Sequence, residues 1–322
     1  MAVYTKITNK DLLSLSSNYK LGKILESEGI RKGIENTNYL LKTKKKKFIL
    51  TIFEKRVQKK DLPFFMKLMK RLNQKKIICP KPLENIFGKH LSKVQNKPAS
   101  IVTFLKGKDK TTLNYKNCFD IGKNIAKFHK ATTEIKLHRE NSMSIKKLGG
   151  LLKSIKFKSN KMPSKLKPTL NVCLKEIKNR WPKKLPRGII HGDLFIDNIF
   201  FDKNKFSGFI DFYFSSNDYL MYEIAICINA LCFDKKKNFF VMNNKKIKYL
   251  IDGYESVRSF TNKEKEALNI LCRGAALRYL LTRIYDYFNT PKNILIQVKN
   301  PNEYLQKLIT HNNLNNYKDY YK

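Results

Sequence analysis

Residues 190–198 of the chain read IHGDLFIDN, and residues 210–212 read IDF. Asp193 and Asn198 lie at the spacing of the pattern H-x-D-x-x-x-x-N, and an Asp-Phe pair follows after a short apolar hairpin. Transfer of a phosphoryl group from ATP needs a carboxylate that accepts the proton of the attacking hydroxyl, and oxygen ligands that hold Mg²⁺. The spacing therefore predicts a phosphotransferase loop with Asp193 as the base and with Asn198 and Asp211 as metal ligands.

Two other side chains of this loop allow more than one interpretation. His191 is predicted to brace the loop rather than to react, and Asp197 either assists the chemistry or stabilises a turn. A lone His-Gly-Asp tripeptide arises often by chance. Four matching positions between apolar strands favour a phosphotransferase over a purely structural turn.

The flanking sequence predicts strands first and helices afterwards. Apolar stretches at 38–43, 48–53 and 100–105 are typical of strands. The four lysines between the stretches at 38–43 and 48–53 are predicted to form the turn of a hairpin. We therefore expect an α+β, bilobal protein-kinase-like fold. Its small β-rich N-lobe would span 1–105 and cover ATP, and a larger, mostly helical C-lobe would span 106–322.

Helical patterns of apolar residues support this division. Asn9 is a possible cap of the first helix, and Thr261 with Glu264 forms the pattern of a capping box. One short helix is expected within the lysine-rich connector at 135–168. The predicted helices are 9–20, 61–75, 117–132, 169–181, 218–233, 243–258, 262–288 and 301–310.

The ATP site itself is less well marked. Gly29 and Gly33 would let backbone N–H groups approach phosphates, and Asn36 adds a polar group nearby, although two glycines also suit a simple turn. Thr103 and Leu105 lie where a hinge would offer backbone hydrogen bonds to adenine, or where a plain edge strand would end.

The lysine that pairs with phosphates in many kinases has no evident equivalent. Thr51 occupies the corresponding strand position, and the predicted helix at 61–75 contains no glutamate. Lys55 is our choice of nucleotide contact, and Arg56 and Lys42 are the alternatives.

The charge of +40 first suggests a nucleic-acid partner. However, the chain has 56 lysines and only 10 arginines, whereas recognition of bases and phosphates favours the planar fork of arginine. Lys, Asn, Ile and Phe all have A/T-rich codons, so base composition accounts for much of the charge. We expect no specific nucleic-acid partner.

The remaining composition predicts an ordinary cytoplasmic protein. Six cysteines occur without any C-x-x-C pair, so buried thiols are expected rather than disulfides or a metal site. No apolar stretch of about 18 residues is present, and residues 1–6 lack an apolar signal core.

At the residues quoted above, the chain resembles the aminoglycoside phosphotransferase and choline kinase superfamily, whose loop reads H-G-D-x-x-x-x-N followed by I-D. Residues 125–129 resemble a helix early in the C-lobe of that superfamily, and 222–225 resemble its D-L-A segment, here with Glu223. The resemblance implies ATP and Mg²⁺ as cofactors.

A closer resemblance, to the bacterial homoserine kinase branch of that superfamily, extends over nearly the whole chain. It implies ATP-dependent phosphorylation of the hydroxyl of homoserine, a step toward threonine. Glu223, Arg278 and Arg283 would then contact the zwitterionic substrate, or each would form a salt bridge at the surface or between the lobes. The segments that carry it are 2–5, 33–39, 48–56, 61–65, 210–214, 228–230 and, most distinctively, 273–283.

Two other functions stay open from sequence alone. The chain is either a kinase of the same fold acting on choline, an aminoglycoside or another hydroxylated metabolite, or a non-catalytic nucleotide-binding protein. Intact Asp193, Asn198 and Asp211 argue against the second of these.

Overall fold

The computed structural model describes residues 3–30, 36–54, 57–157, 165–289 and 299–321. Its first part is a five-stranded antiparallel sheet in the order β1-β2-β3-β5-β4, which includes the three strands that the apolar stretches predicted. The strands are β1 (Ile24–Gly29), β2 (Thr37–Thr43), β3 (Lys47–Ile52), β4 (Ser92–Val94) and β5 (Lys97–Thr103).

The outer face of the sheet is covered by helix α1 (Asn9–Asn18). Leu41, Leu50 and Ile101 are completely buried there, and Leu15 of α1 packs in the same cluster. The expectation that Asn9 caps this helix is wrong. Thr8 is the cap, because its hydroxyl accepts a hydrogen bond from the Asp11 N–H while the Asp11 carboxylate accepts one from Thr8.

The inner face of the sheet belongs to the main core of the molecule. Helix α2 (Leu62–Gln74) packs there, and Val102 of β5 joins the same apolar cluster as the C-terminal helices. Tyr213, from the segment after Asp211, contacts Phe53 and Phe65 edge-on at centroid distances of 5.0 and 5.6 Å. One continuous core therefore joins the sheet to the helical part.

The helical part confirms the predicted helices and the α+β fold class. The capping box at Thr261 and Glu264 is formed in both directions at the start of the longest helix. The helices are α3 (Tyr115–Thr132), α4 (Leu148–Ser154), α5 (Leu166–Arg180), α6 (Leu220–Leu231), α7 (Asn244–Glu255), α8 (Asn262–Asn289) and α9 (Asn302–Asn312). No helix within the described ranges has the length and apolar character needed to cross a bilayer.

Short two-stranded sheets interrupt these helices and carry the loop that contains Asp193. β6 (Arg187–Ile190) pairs with β9 (Ser216–Tyr219), and β7 (Ile199–Asp202) pairs with β8 (Lys205–Phe209). The sequence did not predict β9, which reads SNDY and is held by its pairing with β6. It also did not predict the hairpin of β10 (Phe233–Lys236) and β11 (Phe239–Met242).

Candidate active site

The loop after β6 lies directly against the segment that follows Asp211. Gly192 has a φ of +79°, and a Cβ at this position would lie 2.9 Å from the carbonyl oxygen of Phe214. Both the left-handed backbone and the close approach require glycine. The glycine of the His-Gly-Asp motif therefore allows the loop to fold onto its neighbour.

Asp193 and Asn198 are held together by hydrogen bonds within this loop. The Asn198 side-chain amide donates to the backbone carbonyl of Asp193 at 2.8 Å and to the Asp193 Oδ2 at 3.3 Å. Since the amide nitrogen faces Asp193, the Asn198 Oδ1 lies at the opposite end of the amide group. Asp193 itself is only half-buried.

The β7–β8 hairpin returns Asp211 to the side of Asn198. Ile199 is paired with Phe209, and the Ile210 N–H donates to the Asn198 carbonyl at 3.0 Å. Asp211 has φ +63° and ψ +65°, a left-handed conformation that is costly for a residue other than glycine. Its side chain is exposed. Strained backbone of this kind clusters at functional sites, and here it presents a carboxylate next to the loop of Asp193.

His191 braces these two segments against each other. Its Nε2 lies 2.8 Å from the carbonyl oxygen of Ile210, so this nitrogen carries the proton and donates. Burial lowers the pKa of His191, although the negative charge of Glu223 acts in the opposite direction. The ring is therefore neutral near pH 7, as suits a bracing residue.

The carboxylate of Glu223 binds the backbone of the loop that carries Asp193. Its side chain is completely buried, and it accepts hydrogen bonds from the N–H groups of His191 and Gly192, the latter at 3.1 and 3.3 Å. The Nε2 of His129 lies 3.9 Å from the same carboxylate. We expected Glu223 to contact substrate or form a salt bridge, but the structure places it against the backbone of the loop that carries Asp193.

Helix α8 adds a residue that sequence analysis did not single out. The Tyr279 hydroxyl lies 3.3 Å from the Asp193 Oδ1 and 3.2 Å from the Gly192 carbonyl oxygen. The residue lies within the distinctive 273–283 segment, but nothing in that segment signals a contact 86 positions away.

The two arginines near Tyr279 differ in their surroundings. Arg278 is buried, with its guanidinium 4.7 Å from the centre of the Tyr279 ring. Burial acts to lower the pKa of Arg278, but electrostatic interactions with Tyr279, Tyr222 and Asp193 outweigh it and raise the pKa. Arg283 forms a salt bridge of 2.6 Å with Glu303, but this bridge joins α8 to α9 and is largely buried, whereas we expected one at the surface or between the lobes.

The predicted nucleotide contacts fall in several places. Gly29 ends β1, and Asn36 is buried with its Oδ1 3.4 Å from the Glu54 N–H. Thr103 is paired with Phe48 on the α1 side of the sheet, whereas Leu105 contacts Gly208 of the β7–β8 hairpin. The structure thus brings Leu105, but not the Thr103 side chain, toward the β7–β8 hairpin. Gly33 and Lys55 lie outside the described residues.

A neutral side chain occupies the strand position of the usual phosphate-pairing lysine. The Thr51 hydroxyl donates to the Asn38 Oδ1 at 2.8 Å. Lys42 is engaged with Glu26 at 2.8 Å, at the far end of its strand. Instead of a strand–helix ion pair, Arg139 donates to Asp61 at 2.8 Å and to the Ser215 carbonyl at 3.0 Å. It thereby ties the start of α2 to the segment after Asp211.

This fold and loop define the class of kinase-like phosphotransferases. The sequence profile of the phosphotransferase enzyme family (APH) matches residues 26–260, and the chain belongs to that family.

Curated relatives resemble the chain along almost its whole length. The homoserine kinase of Sinorhizobium medicae is 41% identical over 311 residues, which cover 97% of this chain and 94% of that protein. The homoserine kinase of Agrobacterium fabrum is 41% identical over 320 residues, with coverage of 99% and 98%.

Solved structures of low identity share the fold. Amicoumacin kinase hAmiN in complex with AMP-PNP, Ca²⁺ and Ami has a TM-score of 0.68 at 13% identity, covering 98% of this chain and 93% of its own. The choline kinase LicA from Streptococcus pneumoniae has a TM-score of 0.66 at 17% identity, with coverage of 95% and 99%.

Proposed function

We propose that the protein transfers the γ-phosphoryl group of ATP to the hydroxyl of L-homoserine, giving O-phospho-L-homoserine in threonine biosynthesis. The assignment of homoserine as the substrate rests on a sequence identity of 41% to homoserine kinases over nearly the full length of both chains. The chemistry rests on the arrangement of Asp193, Asn198 and Asp211 around one loop and one hairpin. Because ATP is a cytoplasmic substrate, a cytoplasmic location accompanies this proposal.

Asp193 is the base of the proposed reaction. Its half-buried carboxylate accepts the proton of the homoserine hydroxyl as the oxygen forms its bond to the γ-phosphorus. The bond from this phosphorus to the bridging oxygen breaks at the same time, and ADP leaves with that oxygen. Two hydrogen bonds keep the loop in place during the reaction. The Asn198 amide donates to the Asp193 carboxylate, and Glu223 accepts from the Gly192 N–H.

The donor set beside Asp193 fits Mg²⁺. Asn198 offers an amide oxygen, and the exposed Asp211 offers a carboxylate, both hard oxygen ligands. In the described part of the chain there is no group of three or more His, Cys, Asp or Glu side chains suited to a metal. Mg²⁺ in kinases does not require one, since it takes one or two carboxylates together with substrate phosphates. Bound there, it would neutralise charge that develops on the phosphates.

The nucleotide is proposed to lie between the N-lobe, residues 1–105, and the C-lobe, residues 106–322. Its contacts in this proposal are the lid residues Gly29, Gly33 and Asn36, with Lys55 as the basic group. The hinge between Thr103 and Leu105 would face the adenine. The position of Leu105 against the β7–β8 hairpin supports the hinge, because that hairpin leads to Asp211.

The decisive experiment is to incubate the purified protein with ATP, Mg²⁺ and homoserine and to detect O-phosphohomoserine by ³¹P NMR. Choline, ethanolamine and an aminoglycoside serve as competing acceptors. We expect homoserine to have by far the highest kcat/KM. Phosphorylation of another acceptor but not of homoserine would contradict the substrate and leave the reaction class standing.

Asp193→Asn tests the base. A positioned base contributes about 10²–10⁴-fold to a rate, so we expect kcat to fall by that factor while the Tm stays within a few degrees. A variant that retains the wild-type kcat would refute the role of Asp193.

A further inference from the structure

The carboxylate of Asp193 is contacted at both of its oxygens by groups from different elements. The Asn198 amide lies 3.3 Å from Oδ2, and the Tyr279 hydroxyl of α8 lies 3.3 Å from Oδ1. An amide N–H and a phenol O–H are both donors toward a carboxylate. The carboxylate plane is thus defined by one donor within the loop and one donor from a helix far along the chain.

Packing fixes the Tyr279 ring in the position that this contact requires. The ring meets Phe195 edge-on at 4.9 Å and lies 5.2 Å from the Tyr304 ring, and the residue is 7% exposed. Phe195 belongs to the same loop as Asp193, so the ring and the loop are packed as one unit. The hydroxyl therefore has little freedom to turn away from the carboxylate.

The Tyr279 hydroxyl is a proton donor throughout the working pH range. Burial raises the pKa of Tyr279 well above its ordinary value, with Arg278 acting in the opposite direction and Asp193 adding to the rise. The single proton of the hydroxyl is consequently shared between two acceptors, the Asp193 Oδ1 and the Gly192 carbonyl oxygen. A side chain that served only to anchor the loop would need just the second of these.

We propose that Tyr279 is a positioning residue for phosphoryl transfer, whose hydroxyl orients the Asp193 carboxylate toward the acceptor alcohol. This inference rests on the proposed function, because it assigns Asp193 as the base. Correct placement of a reacting group contributes to the rate of the chemical step and not to the binding of ATP. Loss of the hydroxyl should therefore lower kcat and leave KM nearly unchanged.

Tyr279→Phe tests this role, because it removes the hydroxyl and keeps the ring contacts. Tyr219→Phe is the matched control: its ring is also buried, and its hydroxyl donates to the carbonyls of Pro182 and Lys183 at 2.8 and 3.2 Å. For Tyr279→Phe we expect a kcat about tenfold lower, with the KM values for ATP and homoserine within about twofold of wild type. For Tyr219→Phe we expect the wild-type kcat.

Stability is measured on the same samples. Each variant loses one buried hydroxyl, so the two Tm values should fall by similar amounts. A Tyr279→Phe protein with the wild-type kcat would overturn the inference, as would a loss of kcat in proportion to the fall in Tm in both variants.

A double-mutant cycle shows whether Tyr279 acts through the base. In the Asp193→Asn background, adding Tyr279→Phe should change the residual rate by less than about twofold, because the group that it orients has been replaced. A full tenfold loss in that background would show that Tyr279 acts independently of Asp193 and would overturn the inference.

The same set of proteins separates failure of the inference from failure of the proposed function. If Asp193→Asn alone keeps the wild-type kcat, the base assignment fails and this inference fails with it. If Asp193→Asn is impaired and Tyr279→Phe is not, only the inference fails. If an alcohol other than homoserine proves to be the acceptor, the same comparison is made with that alcohol.

Discussion

Replacement of Glu223 by glutamine should loosen the loop that carries Asp193. The wild-type carboxylate is completely buried and accepts from two consecutive backbone N–H groups, those of His191 and Gly192. Glutamine has nearly the same shape but offers only one oxygen. Its NH₂ group would face a backbone N–H, so one buried donor would lose its acceptor.

The magnitude follows from the two hydrogen bonds. A hydrogen bond to a charged group contributes about 1.5–3 kcal/mol, and a buried donor left without an acceptor costs about 1–3 kcal/mol. We expect Glu223→Gln to lower the free energy of unfolding by about 3 kcal/mol. With an unfolding entropy of about 2.1 cal/mol/K per residue, this corresponds to a fall in Tm of about 4 °C for a chain of 322 residues.

The assay combines urea unfolding with steady-state kinetics below the unfolding transition. We expect kcat to fall with little change in the KM for ATP, because Gly192 immediately precedes Asp193. Glu140→Gln makes the same chemical change at an exposed carboxylate that pairs with Lys147, and should leave the stability nearly unchanged, because solvent screens exposed ion pairs. Wild-type stability and kcat in Glu223→Gln would show that its hydrogen bonds do not hold the loop.

Three further predictions concern the metal, pH and helix packing. Asp211→Ala should leave the fold intact, since the side chain is exposed, but lower kcat at least about a hundredfold and weaken the Mg²⁺ dependence measured by titration. Burial lowers the pKa of His311 to about 3, so the folded state stays neutral while the unfolded state gains a proton as pH falls below about 6.5. Wild type should therefore lose about 2 kcal/mol more stability than His311→Gln between pH 8 and pH 5 in urea unfolding, and equal losses would contradict this. Gly253→Ala should destabilise by more than about 2 kcal/mol, because its Cβ would lie 2.1 Å from the Phe119 carbonyl oxygen, whereas Gly150→Ala, in open space, should stabilise α4 by up to about 1 kcal/mol.

Local patterns predicted most of the secondary structure, because helices and hairpins depend on nearby residues. The helices predicted over 61–75 and 262–288 are α2 (Leu62–Gln74) and α8 (Asn262–Asn289). β9 was not predicted, because its four residues SNDY lack the apolar character of a strand. It forms only because β6 provides a partner for its backbone hydrogen bonds.

The residues of the proposed site show the same division between local and long-range contacts. That Asp193, Asn198 and Asp211 lie close together was predicted from their spacing, because a short loop and a short hairpin leave few ways to place them. Glu223 lies about 30 positions from the backbone groups that it binds, and it was expected in another role.

By itself, the sequence predicted the α+β arrangement and the phosphotransferase class, and it is the source of the proposed base Asp193 and the proposed oxygen ligands Asn198 and Asp211. The tertiary structure alone decided which side chains from distant parts of the chain contact Asp193 and the loop that carries it. Tyr279 reaches Asp193 across 86 positions, and Arg139 joins α2 to the segment after Asp211 across a similar separation. Such contacts depend on how helices and sheets pack in three dimensions, and no periodicity or local spacing in the chain encodes them.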